Sequence, residues 1–215
     1  RVVSGNLETG GKNRLKGLRN MLDDLERGKG KLRVKRTDLE RFELGENVSV
    51  TPGKVVFQNE LMQLLQYKPT TDTVYKRPLL IIPPWINKFY ILDLRPENSF
   101  IKYFLDKGYS IFVVSWVNPD KKLAEKAFED YMFEGVFAAL DAVKAATGEQ
   151  EVNTIGYCIG GTLLSASLAY MAKKKINKVK SATFFAAQTD FTEAGELKVF
   201  IDEEQLQSLE REIDA

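Results

Sequence analysis

The stretch Glu151–Ala172, EVNTIGYCIGGTLLSASLAYMA, decides how the rest of this chain is read. A short β-branched run (Val152, Thr154, Ile155) leads into Gly156-Tyr157-Cys158-Ile159-Gly160-Gly161, and small and apolar residues of helical character follow. G-x-C-x-G in that setting is the pattern of a nucleophile elbow, where a strand turns sharply into a helix and holds one side chain strained and exposed. Glycine is required at the flanks because a Cβ two residues either side of the nucleophile would strike backbone that the turn brings close. The opposing reading is a small buried hydrophobe, the usual fate of a cysteine. With 15 Gly in 215 residues, glycines at plus and minus two from the single Cys arise by chance about once in two hundred cases. The strand before and the helix after lower that further. Cys158 is read as a nucleophile.

The bulk numbers are compatible with an enzyme core. A length of 215 residues suits one sizeable α/β domain or slightly more. A formal charge of +1 with 44% hydrophobic residues gives no global field that would draw nucleic acid. One Cys excludes an internal disulfide framework and fits a reducing compartment. No apolar run reaches the length of a membrane span, and no secretory signal is expected. Arg1 rather than Met stands first, and Leu209–Ala215 has mid-helix character, so a piece of a longer chain is expected. The chain holds no histidine. A thiol at neutral pH needs a base or a positive field to become a good nucleophile, and acyl-transfer enzymes with this elbow use a histidine. Either the rest of the machinery lies on other sequence, or the elbow is inert.

Working outward, the spacing of Leu15, Leu18, Leu22 and Leu25 predicts an amphipathic helix over 12–27, stopped at Gly28. Its stripe reads as packed on its own protein in preference to a membrane or granule surface. The basic run Lys29–Arg36 is offset by nearby acids and reads as solvated surface. Residues 1–46 are expected to form a helical N-terminal segment and 47–215 the first part of a catalytic domain. Asn47–Phe57 reads as a hairpin about Pro52-Gly53, and 61–67 as another strand. From Pro78 the pattern changes to continuous apolar runs: strands at 78–82, 110–114, 152–155 and 182–187. Helices are expected at 97–107 and 131–146, the second with Phe133, Val136, Leu140 and Val143 inward. This strand–helix alternation is a mostly parallel α/β sheet with right-handed crossovers and antiparallel leading strands. With the elbow after its third repeat, the arrangement is an α/β-hydrolase fold, here without its final strands and cap. Chain order in that fold is nucleophile, acid, histidine.

An oxyanion hole in such a fold takes one N–H from the residue after the nucleophile and one from the loop after the first buried parallel strand. Those donors would be Ile159 and, because Pro83 and Pro84 have no N–H, Trp85. Asn87 and Asp93 read as residues that hold that loop in shape. Asp190, past the last strand, reads as a catalytic acid or, more commonly, a helix cap or surface ion. No metal site and no cofactor are expected. Cysteine in place of serine favours acyl transfer from a thioester, since an acyl-S-Cys stays activated for a second acceptor.

FQNELMQLLQYKP (57–69), RPLLIIPPWINKFYILDLRPENS (77–99), GYSIFVVSWVNPD (108–120), GYCIGGT (156–162) and DFTEAGELKVFIDEE (190–204) resemble the polyhydroxyalkanoate synthases, or poly(3-hydroxybutyrate) polymerases, of the class I type. The resemblance spans nearly the whole chain and corresponds to a central fragment of that family. It implies an acyltransferase that polymerises 3-hydroxyacyl-CoA, with Cys158 carrying the acyl group and CoA released. It also implies a cytoplasmic protein at polymer granules that forms homodimers, with its catalytic Asp and His outside this chain. The CoA thioester is then substrate, not cofactor. The fragment alone is expected to be inactive. Two alternatives stay open: a Cys-dependent thioesterase on the same fold, and a non-catalytic synthase-like fragment.

Overall fold

The computed structural model describes residues 5, 7–86 and 88–213, which divide into two compact units, 1–43 and 44–215. In the first, helix α1 (Lys12–Arg27) forms where the leucine spacing places it and stops at Gly28. The segment behind it folds back on Asp24, whose carboxylate accepts from the Arg27 guanidinium at 2.7 Å and from the Lys35 N–H at 3.0 Å. The Arg27 bond, ahead of the Lys35 one, holds the Asp24 pKa below the usual carboxylate value. Within this unit the stripe meets no cover, since none of the residues of α1 is buried.

The second unit is built on one six-stranded sheet in the order β1 (Gly53–Gln58), β2 (Met62–Tyr67), β6 (Ile111–Trp116), β3 (Leu79–Ile82), β7 (Val152–Tyr157), β8 (Val179–Phe185). β1, β2 and β6 pair antiparallel, and β6, β3, β7 and β8 pair parallel. That is the α/β-hydrolase order, with antiparallel leading strands and a parallel core. Strand alternation sorts the side chains between two cores. Leu80, Ile82, Phe112 and Val114 face one; Leu79, Ile81, Ile111 and Val113 face the other. The first is covered by a π-helical stretch Tyr131–Phe137, which the short helix α3 (Phe128–Asp130) leads into, by α4 (Ala138–Thr147) and by α5 (Ile159–Lys174). The second is covered by α2 (Phe100–Leu105) through Ile101 and Leu105. Each fully buried aliphatic side chain here contributes roughly 1.5–3 kcal/mol.

Three expectations from the sequence need correction. Pro52-Gly53 is not a hairpin turn: Gly53 opens β1, and the turn to β2 is made by Asn59, whose side-chain oxygen accepts the N–H groups of Leu61 and Met62 at 3.0 and 2.9 Å. Pro-Gly is a turn signal, but proline is equally at home just before a strand. The helix expected from residue 97 begins at Phe100. Residues 93–95 and 98–99 form a two-stranded ribbon instead (β4, Asp93–Arg95; β5, Asn98–Ser99), and Ser99 caps the helix by accepting the Lys102 N–H at 2.9 Å. Phe133 is exposed while Val136, Leu140 and Val143 are buried. The wider π turn shifts the facing of residues before 138 and breaks the 3.6 spacing that had placed Phe133 inward.

Candidate active site

β7 ends at Tyr157 and α5 begins at Ile159, leaving Cys158 alone at the turn with φ 55 and ψ −129. A non-glycine residue in that region carries strain of about 1–3 kcal/mol and persists only where its surroundings hold it. Here the hold is explicit. The Cys158 N–H donates to the Phe185 carbonyl at 2.8 Å, and its own carbonyl accepts from Gly161 at 2.9 Å and Thr162 at 3.3 Å. Thr162 Oγ1 donates to the Gln188 carbonyl at 2.6 Å, tying the exit of β8 to the first turn of α5. The free thiol is half-buried.

Each elbow glycine has a definite obstacle. A Cβ on Gly156 would lie 2.5 Å from the Cα of Gly161. One on Gly161 would meet the Ala187 Cβ and lie 2.9 Å from the Gly156 oxygen. One on Gly160 would strike the Ile82 carbonyl oxygen and stand 2.7 Å from that of Pro83. The reason for Gly160 is therefore a neighbouring strand exit, not the turn itself. This close approach brings the N-terminus of α5 against the Ile82–Trp85 loop. The N–H groups of Ile159 and Trp85 donate to no acceptor among the described residues. At a helix N-terminus an N–H such as that of Ile159 favours negative charge.

Trp85 packs its ring 5.0 Å from Tyr131 and edge-on at 6.1 Å to Trp116, between ring centroids. Its side chain is thus a packing element, and the role expected of it is one for its backbone. Asp93 is fully buried, but its partners lie elsewhere than the Ile82–Trp85 loop. Its carboxyl group accepts from the hydroxyls of Ser49 (3.3 Å), Thr51 (2.6 Å) and Ser99 (2.5 Å) and from the Thr51 N–H (3.3 Å). It joins the segment before β1 to the β4–β5 ribbon. Beside it, burial pushes the Tyr67 hydroxyl pKa up, with the Asp93 charge adding to the rise. Asn87 lies outside the described residues. Asp190 is exposed and caps a turn by accepting the Thr192 N–H at 2.9 Å; the Thr192 hydroxyl and N–H hold its pKa below the ordinary value.

Sequence reasoning did not single out Trp116, whose indole N–H donates to the buried Pro83 carbonyl at 2.7 Å. A tryptophan closing an apolar strand is a usable signal, because a buried indole N–H needs an acceptor. Thr162 and Gln188 left no such trace. A groove of about 480 Å³ opens at the β1–β2 edge beside Pro52, Lys54, Tyr67 and Lys68, and Cys158 is not among its lining residues. Among the described residues, no three His, Cys, Asp or Glu side chains group as metal ligands, and no helix is long and apolar enough to cross a membrane.

Two family models match the chain. Residues 1–104 match "Poly-beta-hydroxybutyrate polymerase (PhaC) N-terminus", and residues 77–214 match the alpha/beta hydrolase fold. Among curated relatives, a poly(3-hydroxyalkanoate) polymerase of Methylorubrum extorquens is 55% identical over 95% of this chain and 34% of its own length. A polymerase subunit of Rhizobium etli is 53% identical over 97% of this chain and 33% of its own. One from Cupriavidus necator is 44% identical over 94% and 33%. The chain thus spans about a third of the length of the curated relatives it matches.

Proposed function

Because the chain belongs to the α/β-hydrolase fold family and, within it, to the poly(3-hydroxyalkanoate) polymerases, we propose that it supplies the nucleophile and oxyanion half of an acyltransferase that polymerises 3-hydroxyacyl-CoA. The observation that carries this reading is Cys158, held at positive φ between a buried strand and a helix N-terminus.

On this reading the Cys158 Sγ attacks the thioester carbonyl, and the carbonyl oxygen takes the negative charge. The Ile159 and Trp85 N–H groups stabilise that oxyanion, an effect worth about 10²–10³ in rate per donor. The C–S bond to CoA breaks, the CoA thiolate leaves, and the acyl group remains on Cys158. The hydroxyl of a second hydroxyacyl unit then attacks the acyl-S-Cys carbonyl, forming an ester and returning the thiolate. Both the thiol and the attacking hydroxyl must lose a proton. With no histidine in these 215 residues, the base is assigned to a histidine outside them, oriented by an acid that is also outside. Asp190 does not take that part, since its carboxylate is solvated and committed to Thr192. The partners that follow are the acyl-CoA, the growing polyester, the surface of a cytoplasmic polymer granule and a second copy of the protein.

The test is turnover of 3-hydroxybutyryl-CoA by the full-length protein and by its Cys158→Ala variant. CoA release with polymer in the first and neither in the second supports the proposal. Free hydroxy acid in place of polymer favours a thioesterase. Equal turnover by both rejects the nucleophile.

A further inference from the structure

The loop after β3 carries one of the two donors assigned above, and its placement depends on a side chain the reaction scheme does not use. Pro83 and Pro84 contribute no N–H, so any hydrogen bond at the peptide between them runs through the Pro83 carbonyl. That carbonyl accepts the Trp116 indole N–H at 2.7 Å in a buried setting, the indole being only 6% exposed. Space for the indole is made by Gly135 in the π-helical stretch, where a Cβ would come within 2.5 Å of Cη2. The same ring packs against Trp85 and lies 5.5 Å from Tyr131. From the elbow, Gly160 admits the Pro83 oxygen so closely that a Cβ would sit 2.7 Å from it. Two residues before Trp85, Pro83 is thus held between an indole and the helix that begins just after the nucleophile.

We propose that Trp116 is a positioning residue for the oxyanion site: its N–H and ring together set where the Trp85 backbone N–H stands relative to that of Ile159. The inference rests on Cys158 being the nucleophile and Trp85 a donor. Donors must lie about 2.7–3.1 Å from the developing oxyanion to act. A shift of about 1 Å in a positioned group costs on the order of 10²-fold in rate. Without the indole N–H the buried Pro83 carbonyl has no partner among the described residues, and the loop must move to find one.

The experiment compares full-length wild-type protein with Trp116→Phe and with a protein carrying benzothienylalanine at position 116. The latter is an indole isostere whose sulfur cannot donate. Two rates are read: steady-state turnover of 3-hydroxybutyryl-CoA, and alkylation of Cys158 by iodoacetamide. Alkylation displaces iodide at a saturated carbon and develops no oxyanion. The expected result is a kcat lower by about 10- to 100-fold, with KM and the alkylation rate unchanged. Unchanged kcat in the isostere protein overturns the proposal, and so does alkylation slowed in proportion to turnover. If Trp116→Phe fails to fold, the isostere alone decides. Failure of the underlying reading shows separately, as turnover retained by Cys158→Ala.

Discussion

The backbone N–H of Cys158 donates to the Phe185 carbonyl at 2.8 Å, so the nucleophile's strained backbone is anchored on the neighbouring strand, β8. β8 pairs with β7 in parallel register as far as Tyr157↔Phe185. The ladder therefore continues one residue beyond β7, into the turn itself. An elbow needs such an anchor, because a residue at positive φ relaxes unless its neighbours over-determine it.

Gly160 is where the elbow meets the donor loop, and it should tolerate no side chain. In Gly160→Ala the new Cβ strikes the Ile82 carbonyl and crowds that of Pro83. Overpacking of this kind costs about 1–3 kcal/mol. Separating the two donor segments should also lower kcat by on the order of 10²-fold. Thermal unfolding and turnover of the full-length variant check both effects. A variant of normal stability and rate shows that the two segments need not touch.

Asp93 should matter to stability more than to chemistry. Its carboxyl group satisfies three hydroxyls and one N–H in a fully buried site. Asp93→Ala leaves these donors without an acceptor and should destabilise by roughly 3 kcal/mol; Asp93→Asn, which keeps one acceptor oxygen, should lose less. Urea denaturation measures both. Equal and negligible losses contradict the role given to this residue.

Tyr67 gives a pH signature. Its folded pKa lies above its unfolded value because burial, and then the Asp93 charge, oppose ionisation. The unfolded chain therefore loses the phenolic proton first, at about pH 10. Below that value the contribution is fully present, and it is lost as pH rises through the window between the unfolded and folded pKa. The slope in that window approaches about 1.4 kcal/mol per pH unit. Tyr67→Phe should remove this part of the alkaline loss, seen as a shallower fall in urea stability above pH 10. An identical fall in both proteins rejects it.

The fold was legible because its signals were redundant. Leu79–Ile82 and Ile111–Val114 are short runs apolar on consecutive residues, as a strand buried on both faces requires, and Gly108 and Gly148 stop the helices before β6 and β7 at φ 83 and 76. The elbow was legible because Gly156 and Gly161 answer a steric demand local to the turn, whereas Gly160 answers the carbonyls of Ile82 and Pro83 on a neighbouring strand exit. What stayed hidden depends on partners distant in sequence. The start of α2 moved because Asn98-Ser99 pair with 93–95, and Ser99 serves both Asp93 and Lys102. Phe133 turned outward because the helix widens before residue 138, where Gly135 admits the Trp116 indole. The role given to Asp93 missed its partners for the same reason. Ser49 and Thr51 stand more than forty residues earlier.

The most direct measurement of the central claim is a covalent one. Full-length protein is mixed with 3-hydroxybutyryl-CoA, quenched in acid during turnover and digested, and the acylated peptide is located by mass spectrometry. A thioester-linked hydroxyacyl group is expected on Cys158, and both it and CoA release should be absent from Cys158→Ala. An acyl group on any other residue, or CoA released at the wild-type rate by Cys158→Ala, contradicts that claim.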